Sequence, residues 1–140
     1  MRAIGIALLI FSLAPLTASA GDLTVTIDGV DNAQGSMLGA LYTNESTFLN
    51  PAYAVARFKM KAASGEIRYV LGNLAAGRYA LSVFHDASDN GRFDRNDLGV
   101  PVESHGFSND ALGSGGPPKF SQAAFDFEGK AKSITVSLNY

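Results

Sequence analysis

Residues 79–97 read YALSVFHDASDNGRFDRND, and this stretch contains a strand and the polar loop that follows it. Tyr79, Leu81 and Val83 recur at every second position, which is the side-chain period of a β-strand. After His85 the composition changes abruptly to a run rich in Asp and Asn that contains one glycine. The stretch therefore predicts a strand that ends in a long functional loop.

The same period of two dominates the rest of the chain. The regular alternating runs are Leu23–Ile27, Ala56–Ala62, Ile67–Leu71 and Ile134–Tyr140, and the less regular runs are Met37–Tyr42 and Ala123–Phe127. No segment has a sustained 3.6-residue apolar stripe, so the pattern predicts an all-β protein. About seven short strands with turn residues between them favour a Greek-key antiparallel β-sandwich, immunoglobulin-like or transthyretin-like, over a closed barrel. Residues 86–120 form one long loop in this prediction.

The first twenty residues have the features of an export signal. Arg2 precedes an apolar run from Ala3 to Leu16, and Ala18-Ser19-Ala20 is a small-residue cleavage site. Residues 1–20 are therefore predicted to be a signal peptide and residues 21–140 a single β-sandwich domain. The expected location is the periplasm or the exterior, after cleavage near Ala20.

Composition excludes several classes of partner and chemistry. The chain has 13 acidic against 11 basic residues, which argues against nucleic acid and anionic membrane as partners. It has no cysteine, so neither disulfides nor thiol chemistry is available. No segment after the signal peptide is apolar for long enough to span a bilayer. The expected partner is an unidentified envelope or extracellular molecule, and the sequence does not indicate an oligomeric state.

The polar loop has the spacing of a twelve-residue calcium loop. Side-chain oxygens occupy positions 1, 3, 5, 9 and 12, a backbone carbonyl occupies position 7, and glycine occupies position 6, where the chain must turn sharply. These positions are Asp86, Ser88, Asn90, Asp94, Asp97, Arg92 and Gly91. Serine at position 3 and aspartate rather than glutamate at position 12 depart from the EF-hand pattern. The prediction is a weak Ca²⁺ site, with a dissociation constant on the order of 10⁻⁴ M.

Other interpretations of the same region remain open. Asp- and Asn-rich segments are also typical of plain solvated turns. Glu103 could supply an additional carboxylate from outside the loop. His85 and His105 could join Asp86 and Glu103 in a zinc site or an acid–base pair. A single histidine at a strand end is more often a hydrogen-bonded core-edge residue.

The chain resembles the exported bacterial proteins grouped as domain of unknown function 2141 (DUF2141). The shared motifs are His85-Asp86, Asn90-Gly91 with Asp94 and Asn96, Gly99-Val100-Pro101-x-Glu103, Gly106-Phe107-Ser108-Asn109 and Pro117-Pro118-x-Phe120. The resemblance implies a small exported domain and brings no assigned activity or ligand. A second, short similarity relates residues 74–81 to the strand entry of transthyretin-like and collagen-adhesin-B-like (CnaB-like) sandwiches, and it bears on fold alone.

These observations favour a non-enzymatic exported module with a loop ordered by Ca²⁺. One alternative is an extracytoplasmic module that binds a carbohydrate, a peptide or an envelope component through residues 86–120. A less favoured alternative is a metal-dependent enzyme that uses His85, Asp86, Glu103 and His105.

Overall fold

The computed structural model describes residues 12–15 and 18–140, so most of the predicted signal peptide lies outside the described residues. The strands are β1 (Ala20–Val30), β2 (Ser36–Tyr42), β3 (Ala56–Lys61), β4 (Gly65–Ala75), β5 (Gly77–Asp86), β6 (His105–Phe107), β7 (Phe125–Phe127) and β8 (Lys132–Ser137). A four-residue helix α1 (Phe120–Ala123) and two single 3₁₀ turns, Pro51–Tyr53 and Ser108–Asp110, complete the described elements.

The strands form two packed sheets, which confirms the predicted all-β sandwich. One sheet has the order β4-β1-β8, and the other has the order β3-β2-β5-β6, with β7 pairing beside β6 on the same edge of β5. Every strand pair is antiparallel except β1 and β8, which run parallel from Leu23–Lys132 to Asp28–Ser137. Side-chain alternation is the same in parallel and antiparallel strands, so the sequence pattern could not reveal this pairing.

The main core lies between the two sheets. It is built from the alternating residues that the sequence assigns to one strand face, such as Val25 on β1, Leu81 on β5 and Val136 on β8, each of which is fully buried. Burying an aliphatic side chain of this size contributes about 1.5–3 kcal/mol. The sandwich is therefore stabilised chiefly by these inward-facing positions.

A second, smaller apolar cluster covers part of the outer face of the five-stranded sheet. Phe48 lies at its centre, with ring-centroid distances of 5.5 Å to Tyr42, 6.3 Å to Phe107 and 5.8 Å to Phe120. Helix α1 carries Phe120 onto this face. The aromatic residues of the loops thus pack on one another, while the neighbouring part of the same sheet face stays open.

Side-chain hydrogen bonds order the chain between β6 and β7. The Ser108 hydroxyl donates to the Ala123 carbonyl (2.5 Å) and accepts from the Leu81 N–H (2.9 Å), so it joins the loop to β5 and to α1. Asn109 Nδ2 donates to the Ala124 carbonyl at 2.8 Å. These bonds explain how a connection of this length can be ordered without long regular elements.

The described N-terminal residues include the predicted cleavage site, residues 18–20. Strand β1 begins at Ala20, one residue before the expected mature terminus, and Ala20 pairs with Ala75. Ser19 Oγ donates to the Gly129 carbonyl at 3.0 Å. In the described part of the chain there is no helix with the length and apolarity that a membrane crossing requires.

Gly39 provides a test of the core packing. A Cβ at this position would lie 2.2 Å from the Phe58 ring, which stacks on Tyr69 at a centroid distance of 4.4 Å. We expect Gly39→Ala to displace this ring pair and to lower the free energy of unfolding by about 1–3 kcal/mol in urea denaturation. Gly116→Ala is the matched control, because no atom lies within 4 Å of its Cβ. Equal stability of the two variants would contradict the described packing.

Candidate cation site and adjoining groove

Asp86 ends β5 and organises the polar loop. Its side chain is fully buried, and a buried carboxylate must be compensated by hydrogen bonds or opposite charge. Oδ1 accepts the Asn90 N–H at 3.2 Å, and Oδ2 accepts the Gly91 N–H at 2.7 Å. Gly91 has φ = 75°, a backbone conformation that glycine adopts without steric cost. The carboxylate thus folds the loop back over the strand end.

Asp94 returns to the same point from the other side of the loop. Its Oδ2 accepts Asn90 Nδ2 at 2.7 Å and the Ser88 hydroxyl at 3.3 Å. The Ser88 hydroxyl is also 3.3 Å from Asp86 Oδ1. Both carboxylates therefore face one hydroxyl group, and positions 1, 3, 5 and 9 of the predicted calcium loop are brought together.

A short hairpin contains the predicted twelfth position of the calcium loop, Asp97. Arg95 and Pro101 form an antiparallel bridge, and Asn96 Oδ1 accepts the Leu98 and Val100 N–H groups across the turn. Asp97 lies exposed in this turn and has no side-chain hydrogen bond to a described residue of the cluster.

The return strand of the hairpin instead delivers Glu103. Its carboxylate Oε2 accepts the Asp94 N–H at 3.0 Å, and the residue is only 7% exposed. The Val102 N–H donates to the Asp94 carbonyl at 3.1 Å. Val102 and Glu103 thus both hold the return strand of the hairpin against Asp94. Glu103, which the sequence suggested as an additional carboxylate, thus lies next to the backbone of Asp94.

The electrostatics of Glu103 reflect this crowding. Burial raises the pKa of its carboxyl group above the ordinary value, and the charges of Asp94 and Asp86 raise it further. The Asp94 N–H and nearby His85 act in the opposite direction without reversing the shift. Three acidic groups therefore share a site in which the ionised form of one is disfavoured.

The two histidines lie on opposite faces of the five-stranded sheet. His85 is buried on the core side and its Nε2 is 2.7 Å from the Gln34 carbonyl oxygen. His105 pairs with Phe84 on the outer face, and its ring lies 5.1 Å from that of Phe93. They share no hydrogen bond, so the geometry does not assemble the zinc site or acid–base pair considered from the sequence. In residues 12–15 and 18–140, no three acidic, cysteine or imidazole groups have the arrangement of a preformed metal centre.

Asp89 attaches the loop to the sheet, a role that the sequence did not indicate. Its Oδ1 accepts the buried Ser36 hydroxyl at 2.8 Å and forms an ion pair with Lys59 Nζ at 2.8 Å. These contacts lower the pKa of the Asp89 carboxyl group. Lys59 and Asp89 are far apart in the chain, so only the pairing of β2 with β3 and β5 could reveal the contact.

Beside the loop, the open part of the outer sheet face forms a groove of about 1120 Å³. Residues 91–101 form one wall and residues 110–118 form the other. Phe84, Phe93 and Phe107 contribute to its apolar lining. The loop that carries the carboxylate cluster is therefore also one wall of this groove.

Comparison with known proteins places the chain in a family. Residues 25–135 match the family described as "Uncharacterized protein conserved in bacteria (DUF2141)". The match covers most of the chain, and the protein belongs to this family, as the sequence motifs indicated. No curated protein and no solved structure matches it.

The raised pKa of Glu103 predicts a pH dependence of stability in chelator. A carboxyl group with a raised pKa binds more protons in the folded than in the unfolded state, so stability falls as pH rises from about 4.5 through the raised folded value. We expect Glu103→Gln to remove this loss, so that its stability relative to wild type increases across that window in urea titrations. Glu66→Gln, an exposed residue paired with Arg68, is the control and should leave the profile unchanged. A parallel profile for Glu103→Gln and wild type would refute the assignment.

Proposed function

We propose that this member of the DUF2141 family is an exported, non-enzymatic β-sandwich whose loop binds Ca²⁺. The observation that carries the proposal is the convergence of Asp86, Asp94 and Glu103. Asp86 and Asp94 of one loop both accept from the Ser88 hydroxyl, and Glu103 accepts the backbone N–H of Asp94 from beyond a hairpin. Hard cations prefer such oxygen ligands, and Ca²⁺ accepts six to eight of them.

The proposed ligand set differs from the sequence spacing at one position. Side-chain oxygens would come from Asp86, Ser88, Asn90 and Asp94, with Glu103 in place of Asp97. The backbone carbonyl of residue 92 remains the expected ligand at position 7. The bonds of Ser88 and Asn90 to Asp94 would give way to contacts between oxygen and the ion. Neutralising three close carboxylates is the source of stabilisation, because like charges in a partly desolvated site repel strongly.

A thermal melt of residues 21–140 in chelator and across a Ca²⁺ series tests the proposal. Free Ca²⁺ at about 100 times its dissociation constant should add about 2.7 kcal/mol, which is a shift of several degrees in a domain of this size. Mg²⁺ should act weakly, because it demands a tighter octahedral arrangement.

Two single variants distinguish the ligand sets. Glu103→Gln should abolish the Ca²⁺-dependent shift, whereas Asp97→Asn, which removes an equal charge from an exposed turn, should preserve it. The reverse result would restore the ligand set inferred from spacing. An unchanged melting temperature of wild type across the whole series would refute the cation site.

Export is the second part of the proposal. It is supported by the charged start, the apolar run and the Ala18-Ser19-Ala20 site of residues 1–20. Expression of the full chain in a bacterial host should give an envelope or culture-fluid protein whose intact mass corresponds to a start at Gly21. Ala18→Asp together with Ala20→Asp should block this processing. A full-length cytoplasmic product from the wild-type gene would contradict export.

The groove favours a second candidate function, an extracytoplasmic binding module. Its walls are the two parts of the region 86–120 that the sequence suggested as a contact surface. Concave, mostly apolar clefts with a few convergent polar groups are the usual form of ligand sites. An enzymatic role has no comparable support, since His85 and His105 face opposite sides of the sheet.

A further inference from the structure

The groove on the outer face of the five-stranded sheet has a charge that contrasts with that of the whole chain. Four of the 11 lysines and arginines line it, but only one of the 13 acidic residues does. The basic residues are Arg57, Lys59, Arg92 and Arg95. Lys59 is paired with Asp89, which lies outside the lining. A net acidic protein thus concentrates positive charge around one apolar surface.

The acidic residue of the lining is already engaged. Asp110 Oδ1 accepts the Ser137 N–H at 2.8 Å, which joins one wall of the groove to β8. Arg95 is also held in place, because its guanidinium lies 5.1 Å from the centroid of the Phe93 ring and donates to the Gly99 carbonyl. Arg57 and Arg92 are exposed. Each of these two guanidinium groups can donate a pair of hydrogen bonds to a carboxylate of a ligand.

The floor is apolar and uneven. Phe84, Phe93, His105 and Phe107 follow one another with ring-centroid distances of 5.3, 5.1 and 6.0 Å and interplanar angles of 60–79°. Two of the three pairs meet edge to face and one is tilted, so the four rings do not form one flat stacking surface. Leu98 and Leu112, one in each wall, are 87% and 73% exposed. Together with the aromatic floor they extend one exposed apolar surface, and contiguous apolar surfaces are typical of interaction sites.

The groove is somewhat larger than a typical small-molecule site. At about 1120 Å³, it exceeds the range of about 300–1,000 Å³ that is typical of small-molecule sites. An extended peptide segment fills such a groove and places side chains alternately toward the floor and toward the rim.

We propose that the groove binds an extended acidic peptide segment, in which apolar side chains contact the Phe84–Phe107 floor and carboxylates contact Arg57 and Arg92. This inference rests on the binding-module candidate above and is independent of the cation site.

A fluorescently labelled random copolymer of glutamate and tyrosine is the probe, and its anisotropy with residues 21–140 is the measurement. We expect saturable binding that weakens as salt is added, because rim carboxylate contacts are screened by ions. Arg57→Gln should weaken binding about tenfold, since a charge-assisted hydrogen bond is lost. Arg68→Gln is the matched control on β4, away from the groove, and should bind as wild type does.

A second variant tests the apolar contribution. Leu112→Ser alters a largely exposed side chain, so it should leave the melting temperature unchanged. It should weaken binding of the glutamate–tyrosine copolymer. Failure of both Arg57→Gln and Leu112→Ser to alter binding would place the copolymer elsewhere and overturn the proposal.

Two further probes separate the ligand class from the groove itself. A lysine–tyrosine copolymer and polygalacturonate should bind at least tenfold more weakly than the glutamate–tyrosine copolymer. Tighter binding of polygalacturonate with the same dependence on Arg57 would keep the binding module but refute the peptide assignment. Absence of binding by all three probes would refute both the binding module and the peptide assignment. Neither result would alter the Ca²⁺ melt, so failure of the groove and failure of the cation site remain distinguishable.

Discussion

The buried carboxylate of Asp86 is the constraint on which the geometry of this site depends. It lies at the end of a central strand, where an uncompensated charge would be costly, and the Asn90 and Gly91 N–H groups supply the compensation. Those bonds turn the loop back, so Asp94 approaches the same point and its N–H becomes available to Glu103. A single strand-end residue thus determines the path of the chain as far as β6.

The arrangement also joins the loop to the outer face of the sandwich. Arg92 and Phe93 lie between Asn90 and Asp94, so the segment that surrounds the carboxylates also forms a wall of the groove. Helix α1 and the aromatic cluster around Phe48 cover the neighbouring part of that sheet face. The groove is therefore the uncovered remainder of one face, and a cation in the loop would stiffen its wall without contacting its ligand.

The carboxylate cluster and the basic groove form a pair of opposite charges on one small domain. Asp89 and Lys59 connect them, since their ion pair joins the loop to β3 on the groove side. This separation of the signs, on a chain with a net charge of −2, is the common physical basis of the two proposed sites. The two sites remain distinguishable by measurement, because one acts on stability and the other on affinity.

The sequence by itself determined the all-β class, the positions of most strands, family membership and the local part of the candidate site. Asp86, Ser88, Asn90 and Asp94 could be grouped because they lie within nine residues, where spacing alone limits the geometry. The parallel pairing of β1 with β8, the exposure of Asp97 and the approach of Glu103 were decided by the tertiary structure. The same holds for the opposite faces of His85 and His105 and for the groove. These features depend on which strands become neighbours and where a hairpin reverses, and a period of two in the side chains is identical for every such arrangement.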